Sequence, residues 1–429
     1  MSDRQWIAKD EEARRRIEEE LDTSFLVEAG AGSGKTTSLV ARMIALVESG
    51  KAEVRGMAAI TFTNKAAAEL RGRLRMKLEQ RLRDAGDELT RERLSAALRQ
   101  APEGFVGTIH AFCGRLLRER PMEAGLDPEF TEMDEVESRE RLQASWDEYL
   151  LELRENDGAA FDSLASLGVH VEDLRAAYLC AAMYEDVDVV TTAAPRPDFD
   201  ALRLTLLPLI DEAVRALPSN RPDGGWDGLQ QAVRAATAFR GSRDVEDDLT
   251  LLSLASTFDR ALTVTQKRWP DPKAAKALKE RFAEWRTDVL TPFLRRWREF
   301  LHPEIVRFVL PAVAYARERR WRDGALSFQD LLMKATALLR ERRDVRRYFA
   351  ARYVRLFVDE FQDTDPVQAE MMLLLTGADP DVDEWRRQRP KPGALFIVGD
   401  PKQSIYRFRR ADISTYNLVK RMMAEAADV

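Results

Sequence analysis

The 429-residue chain has little with which to build covalent or metal-cluster chemistry. Its two cysteines, Cys113 and Cys180, stand 67 positions apart and cannot form a disulfide framework or a four-thiolate metal site. Three histidines argue against a His-rich metal centre. No run of about 18 apolar residues occurs, so neither a transmembrane helix nor a membrane partner is expected. The opening MSDRQWIAKDEEARRR lacks the apolar core of a signal peptide, and a cytoplasmic protein is the expectation. A net charge of −6 and a pI near 5.5 exclude a wholly basic, histone-like nucleic-acid binder, though not a local basic groove. Lysine is scarce, 13 against 54 arginines, with none between Lys77 and Lys267. Genomic codon bias is the simple explanation, yet Lys35, Lys65 and Lys402 all fall inside the motifs below.

What is present suffices for real cores: 45% of residues are hydrophobic, and the length suggests roughly three globular units at about 150 residues each. Residues 10–21 carry Ala13, Ile17 and Leu21 at helical spacing. Short apolar runs at 24–28, 57–61 and 105–109 read as strands, with helical patterns at 37–46 and 65–83 between them. From about Pro121 helical periodicity takes over, strand signals become sparse, and six of the eight tryptophans appear. Continuous apolar runs return at Tyr353–Val358 and Ala394–Val398. Strands that alternate face one layer only; unbroken runs fit strands buried on both faces of a parallel sheet. The expected architecture is an α/β parallel sheet formed by residues 1–120 and 320–429, interrupted by an all-helical insertion at 121–319.

Ala29-Gly30-Ala31-Gly32-Ser33-Gly34-Lys35-Thr36 follows a strand and opens a helix, the context a phosphate-binding P-loop requires. Small residues let successive backbone N–H groups converge on phosphate oxygens, and the following helix adds its positive end. Lys35 can reach the β- and γ-phosphates, and the Thr36 hydroxyl can ligate Mg²⁺. A chance Gly-rich turn is the competing reading; strand, spacing, Lys and Thr together argue against it.

An acidic partner stands at Val358-Asp359-Glu360, where Asp359 would hold Mg²⁺ and Glu360 would orient and deprotonate an attacking water. In isolation two such carboxylates could equally be a solvated turn; the continuation Phe361-Gln362-Asp363-Thr364-Asp365 is more specific. Lys35 and Asp359 are 324 positions apart, so the insertion must leave from one edge of the sheet without breaking it. A third stretch, Val398 to Asp412, ends a strand at Gly399-Asp400, from which Gln403 could sit beside the γ-phosphate, and then interleaves aromatics with arginines. That mixture stacks bases and holds a phosphate backbone. A packed loop with surface arginines is its alternative.

With these residues in place the chain resembles the UvrD/Rep-type superfamily-one DNA helicases, closest to their RecB/AddA helicase–nuclease branch. AGAGSGKTT, TFTNKAAAEL, GTIHAFC, VDEFQDTD and GDPKQSIYRFRRAD occur in the family's order, and LSFQDLL at 326–332 is similar to a further family segment. The resemblance spans roughly residues 10–120 and 320–415. It implies a RecA-like P-loop NTPase fold with ATP and Mg²⁺ as ligands. ATP contacts would come from Ala29, Gly30, Ala31, Gly32, Ser33, Gly34, Lys35, Thr36 and Thr37, metal contacts from Thr36 and Asp359, and catalysis from Lys35, Asp359, Glu360 and Gln403. It further implies that Phe62, Tyr406 and Phe408 stack on bases, that Thr63, Asn64 and His110 touch single-stranded DNA, and that Arg409 links the aromatic track to the acidic motif. A lone histidine near a strand end is otherwise usually structural.

Two departures stand out. Many relatives read adenine with a glutamine near the N-terminus, whereas the matching stretch here is Asp10-Glu11-Glu12-Ala13-Arg14, with Gln5 the nearest glutamine. The sequence also ends at Val429, just past the third core motif, without the family's second motor lobe or nuclease domain. The expectation is therefore the ATP-binding lobe of a 3′→5′ DNA helicase in repair or recombination, acting on single-stranded or junction DNA with a second helicase–nuclease subunit. By itself the chain would bind ATP·Mg²⁺ and hydrolyse it slowly. The alternatives are a non-catalytic, ATP-gated module for single-stranded DNA or a protein, and an RNA-directed motor. Within the insertion, the tryptophans read as core and the arginine clusters at 295–296, 317–322, 342–343 and 346–347 as solvated faces, some of them within reach of duplex DNA.

Overall fold

A computed structural model describes residues 10–30, 32–404 and 412–427. The chain divides into two compact units, residues 1–138 with 320–429, and residues 139–319.

The first unit is built on a five-stranded sheet. Its strands are β1 (Phe25–Glu28), β2 (Met57–Thr61), β3 (Phe105–Thr108), β6 (Arg355–Val358) and β7 (Leu395–Gly399). Two further short strands, β4 (Thr131–Glu132) and β5 (Ala325–Leu326), pair with each other in parallel. The order across the large sheet is β1-β7-β6-β2-β3, and all four pairings are parallel. Every carboxyl end therefore emerges on one edge.

Both faces are covered, which accounts for the unbroken apolar runs. Met57, Ala59, Phe357, Phe396 and Val398 face one core with helices Lys35–Ser49, Asn64–Asp84 and Glu88–Gln100. Ala58, Ile60, Leu356, Val358, Leu395 and Ile397 face the other, with helices Ile109–Glu119, Phe328–Glu341 and Pro366–Thr376. Ala369 to Thr376 are buried without interruption, as a helix enclosed by neighbours on all sides requires. Buried Arg42 donates to the carbonyls of Ile17, Glu20, Leu21 and Thr23, tying the end of helix Glu11–Glu19 to the approach of β1.

Residues 121–138 belong to this first unit and not to the helical body expected from Pro121 onward. The β4–β5 pair fixes them there, and Leu126 and Phe130 lie in the core shared with Leu326 and Leu331. Two-residue strands leave no periodicity for sequence reasoning to detect. Near that pair, Arg320 donates to both carboxylate oxygens of Asp330 at 2.9 and 3.0 Å, and both side chains are buried. Asp330 also receives Trp321 Nε1 and the Ser327 backbone N–H, closing a capping box at the start of helix Phe328–Glu341. Arg346 is likewise buried and bonded to Asp383. These two arginines correct the expectation that their clusters are merely solvated; each found a carboxylate partner brought close by the fold.

The second unit contains no strand among its described residues. One core gathers Phe199, Leu206, Phe258, Trp269, Trp285 and Trp297; a second gathers Trp146, Tyr178, Phe308 and Val313. Asp227 caps helix Gly228–Ser242 and accepts Trp269 Nε1 at 2.6 Å. These tryptophans are core residues.

Candidate nucleotide site at the carboxyl edge of the sheet

Five strand ends deliver the sequence motifs to one edge. Residues 29–36 follow β1, 62–64 follow β2, 109–110 follow β3, 359–363 follow β6 and 400–403 follow β7. Crevices at the carboxyl ends of parallel strands are where ligands bind in such sheets.

The loop after β1 turns through Gly32 and Gly34, at φ +74° and +88°, before helix Lys35–Ser49 begins. Side chains at these positions would be strained, and their absence leaves the backbone open to an approaching anion. Ser33 braces the turn by donating its hydroxyl to the Gly30 carbonyl at 2.7 Å. From outside, Arg14 donates to the Ser33 carbonyl at 2.5 Å and is held by Asp10.

Lys35, nearly buried at 10% side-chain exposure, places Nζ 3.2 Å from Glu360 Oε2. Asp359 Oδ1 accepts the Glu360 N–H at 3.1 Å, and the Thr36 side chain is near enough to favour the charged form of the same carboxyl group. Burial raises the Asp359 pKa and Glu360 adds to the rise, against the Glu360 N–H, Lys35 and Thr36. Asp363 is pushed up to about 6 by burial and then by Glu360, with Lys35 opposing. Three carboxyl groups thus crowd one ammonium. Glu360 itself sits at φ +55°, the one non-glycine with positive φ among the described residues. Such strain persists where surrounding contacts over-determine a residue, and it collects at functional positions.

Among the described residues no three His, Cys, Asp or Glu side chains are placed to hold a metal by themselves. Mg²⁺ does not need them, since it commonly binds one or two carboxylates and completes its shell with water and phosphate oxygens. Thr36 and Asp359, close together where carboxyl groups outnumber the one ammonium, fit that ion.

Gln403 lies in the turn Pro401–Gln403, where its Nε2 donates to Asp400 Oδ2 at 2.6 Å. The Asp400 carboxylate faces the glycine loop: a Cβ on Gly30 would meet Oδ2 at 3.9 Å. Thr63 is the N-cap of helix Asn64–Asp84, its hydroxyl accepting the Ala66 N–H at 3.1 Å, and Asn64 opens that helix. Phe62 is partly buried. The His110 ring lies 5.2 Å from that of Phe328, and burial lowers its pKa despite Glu132. Ala31, Tyr406, Phe408 and Arg409 lie outside the described residues, as does Gln5. Sequence reasoning assigned no role to Arg14, Gln362, Asp363 or Asp400, although all four stand inside stretches it singled out.

A fully parallel sheet, a glycine-rich loop opening a helix, and an acidic pair closing on the loop lysine define a P-loop NTPase. The profile of the UvrD/REP helicase N-terminal domain matches residues 10–424, and the chain belongs to that family. It is 28% identical over 450 residues to an ATP-dependent helicase/nuclease subunit from Listeria welshimeri, covering 91% of this chain and 34% of that protein. The proteins of the same name from Exiguobacterium sibiricum and Enterococcus faecalis are 28% and 27% identical, covering 90% and 92% of this chain. The chain spans about a third of the length of these curated relatives, 35% of each of the latter two.

Proposed function

We propose that this chain is the ATP-binding motor lobe of a DNA helicase of the helicase–nuclease kind. The reading extends to 3′→5′ translocation on single-stranded DNA at junctions, to a role in cytoplasmic DNA repair or recombination, and to partnership with a second helicase–nuclease subunit. The observation that carries it is the Lys35–Glu360 contact, which joins two motifs 325 positions apart in one pocket.

In this reading the backbone N–H groups of residues 29–36 and the Lys35 ammonium bind the phosphates of ATP. Mg²⁺ held by Thr36 and Asp359 supplies neutralisation of phosphate charge. Glu360 orients the attacking water and accepts its proton. Gln403, borne on the turn after β7, reports on the terminal phosphate. Phe62, Thr63, Asn64 and His110 extend along the same edge and, with Tyr406, Phe408 and Arg409, form the strand-binding track. Helical residues 139–319 make up the accessory subdomain. No described helix is long and apolar enough to cross a membrane.

The test is titration of the purified chain with a fluorescent ATP analogue, with and without Mg²⁺, alongside Lys35→Ala. Mg²⁺-dependent binding that weakens about 30- to 150-fold in the variant is expected, the loss of a charge-assisted contact of about 2–3 kcal/mol. Nucleotide binding that ignores the substitution would overturn the assignment. Turnover of wild type and Glu360→Gln, with and without single-stranded DNA, separates a motor from a non-catalytic gated module.

A further inference from the structure

Gln362 belongs to the acidic motif, yet it does not face the glycine loop. It is 2% exposed, and both ends of its carboxamide are engaged. Nε2 donates to Glu360 Oε2 at 2.7 Å, and Oε1 accepts the Asp400 N–H at 2.8 Å. Its carbonyl accepts the Ser404 hydroxyl at 3.2 Å. A carboxylate oxygen only accepts and a backbone N–H only donates, so a single orientation of the amide satisfies both neighbours.

The oxygen that receives Gln362 is the one Lys35 Nζ approaches at 3.2 Å. Beyond the amide, Asp400 continues the series: Oδ2 accepts Gln403 Nε2 at 2.6 Å and Oδ1 accepts the Lys402 N–H at 3.0 Å. Lys35, Glu360, Gln362, Asp400 and Gln403 therefore form one continuous set of contacts across the ends of β1, β6 and β7. Space is reserved for it. A Cβ on Gly399 would stand 2.9 Å from Gln362 Oε1 and 3.3 Å from Tyr416 Cε2, although Gly399 is not among the positive-φ glycines. What excludes a side chain there is the amide, not the backbone.

We propose that the Gln362 carboxamide is a positioning bridge tying the Glu360 carboxylate to the Asp400–Gln403 turn, so that occupancy of the nucleotide pocket is transmitted to residues 400–404. This rests on the nucleotide-binding reading above. Lys35 has two alternative partners, Glu360 and a phosphate. When it leaves Glu360, the oxygen to which Gln362 donates carries more unshared charge, the amide is drawn toward it, and the pull reaches Asp400. That two-partner lysine is the bistable element which a coupling argument requires.

Hydrogen exchange followed by mass spectrometry on the full chain tests this, with Mg²⁺ and the slowly hydrolysed analogue ATPγS as the probe. In the wild type, nucleotide should slow exchange both at 29–37 and at the amides of 400–404. In Gln362→Met the first response stays and affinity remains within about fivefold, while basal exchange at 400–404 quickens about tenfold and no longer answers to nucleotide. Gly399→Ala, which displaces the amide without touching it chemically, should match Gln362→Met. A nucleotide response at 400–404 that survives in folded Gln362→Met overturns the bridge, as does its absence from a wild type that binds nucleotide. Failure of the wild type to bind ATPγS at all would sink the nucleotide reading itself, together with the bridge that rests on it.

Discussion

Glu360→Gln should separate affinity from turnover. In the structure Glu360 Oε2 holds Lys35 Nζ at 3.2 Å, with side-chain exposures of 37% and 10%. A fully exposed pair is worth at most about 1 kcal/mol, and breaking a buried one costs about 3–5 kcal/mol. With Glu360 more than a third exposed, about 1 kcal/mol is the appropriate discounted value. A triphosphate must displace Glu360 to gain the lysine, so neutralising Glu360 returns that energy to binding, a factor of about five in Kd. The amide of the variant still accepts from Gln362 Nε2, so the bridge to Asp400 stays in place. Loss of the proton acceptor should at the same time lower turnover at least about 100-fold. Calorimetric or fluorescence titration with Mg²⁺·ATPγS at about 50 mM and 500 mM salt checks the sign, since an electrostatic gain must shrink on screening. Weaker binding in Glu360→Gln, or a gain that ignores salt, would refute the view that Glu360 restrains Lys35 before substrate arrives.

Two further outcomes follow from buried carboxyl groups. The Asp363 pKa rises from 3.8 to about 6, so the folded chain binds the extra proton and stability falls as pH climbs from about 4 to 6, then levels. At 1.36 kcal/mol per pKa unit the cost above pH 7 is about 3 kcal/mol at most; Asp363→Asn should raise the melting temperature at pH 8 and leave it unchanged at pH 4. An equal gain at both pH values would show that charge is not the cause. Asp330→Ala should cost about 3–5 kcal/mol in urea unfolding, because it removes the buried carboxylate that takes two bonds from the buried Arg320 guanidinium. Pairing it with Arg320→Met should recover most of the loss, and no recovery would mean that packing dominates the site.

How far the sequence could be read followed the length scale of each signal. Strands β2 and β7 lie within a residue of their apolar runs, and β1, β3 and β6 inside theirs, because burial on both faces leaves contiguous hydrophobic stretches. That the glycine loop and the Asp359–Glu360 stretch would meet was legible for a related reason, since their motifs admit few residue types at few spacings, and the structure brings Lys35 to Glu360. Gln362 and Asp400 were not legible. Their importance is relational: each matters through a partner more than 35 positions away or through an oxygen already claimed by Lys35. Arg320 and Arg346 looked like their exposed neighbours, and only the fold reveals which arginine in a cluster is itself buried against a carboxylate.

The separation of Lys35 from Asp359 along the chain finally bears little on the pocket they share. Strand β1 reaches β6 through β7, with Val27 beside Val398 and Val358 beside Ile397, so two parallel ladders set the distance between the glycine loop and the acidic pair. Strand β6 also pairs with β2, which precedes the insertion, so the sheet is closed from both sides of it. The excursion between β4 and β5 runs to about 190 residues, for which loop closure costs about 5 kcal/mol. Doubling its length would add only about 0.6 kcal/mol. Within the first unit, the β4–β5 pair and the Arg320–Asp330 network tie the two crossing points together, while residues 139–319 offset the cost of their own ordering with two cores of their own. An insertion that closes on itself in this way can grow or change without moving the carboxylates relative to the lysine, and the site chemistry is free to be set by five strand ends alone.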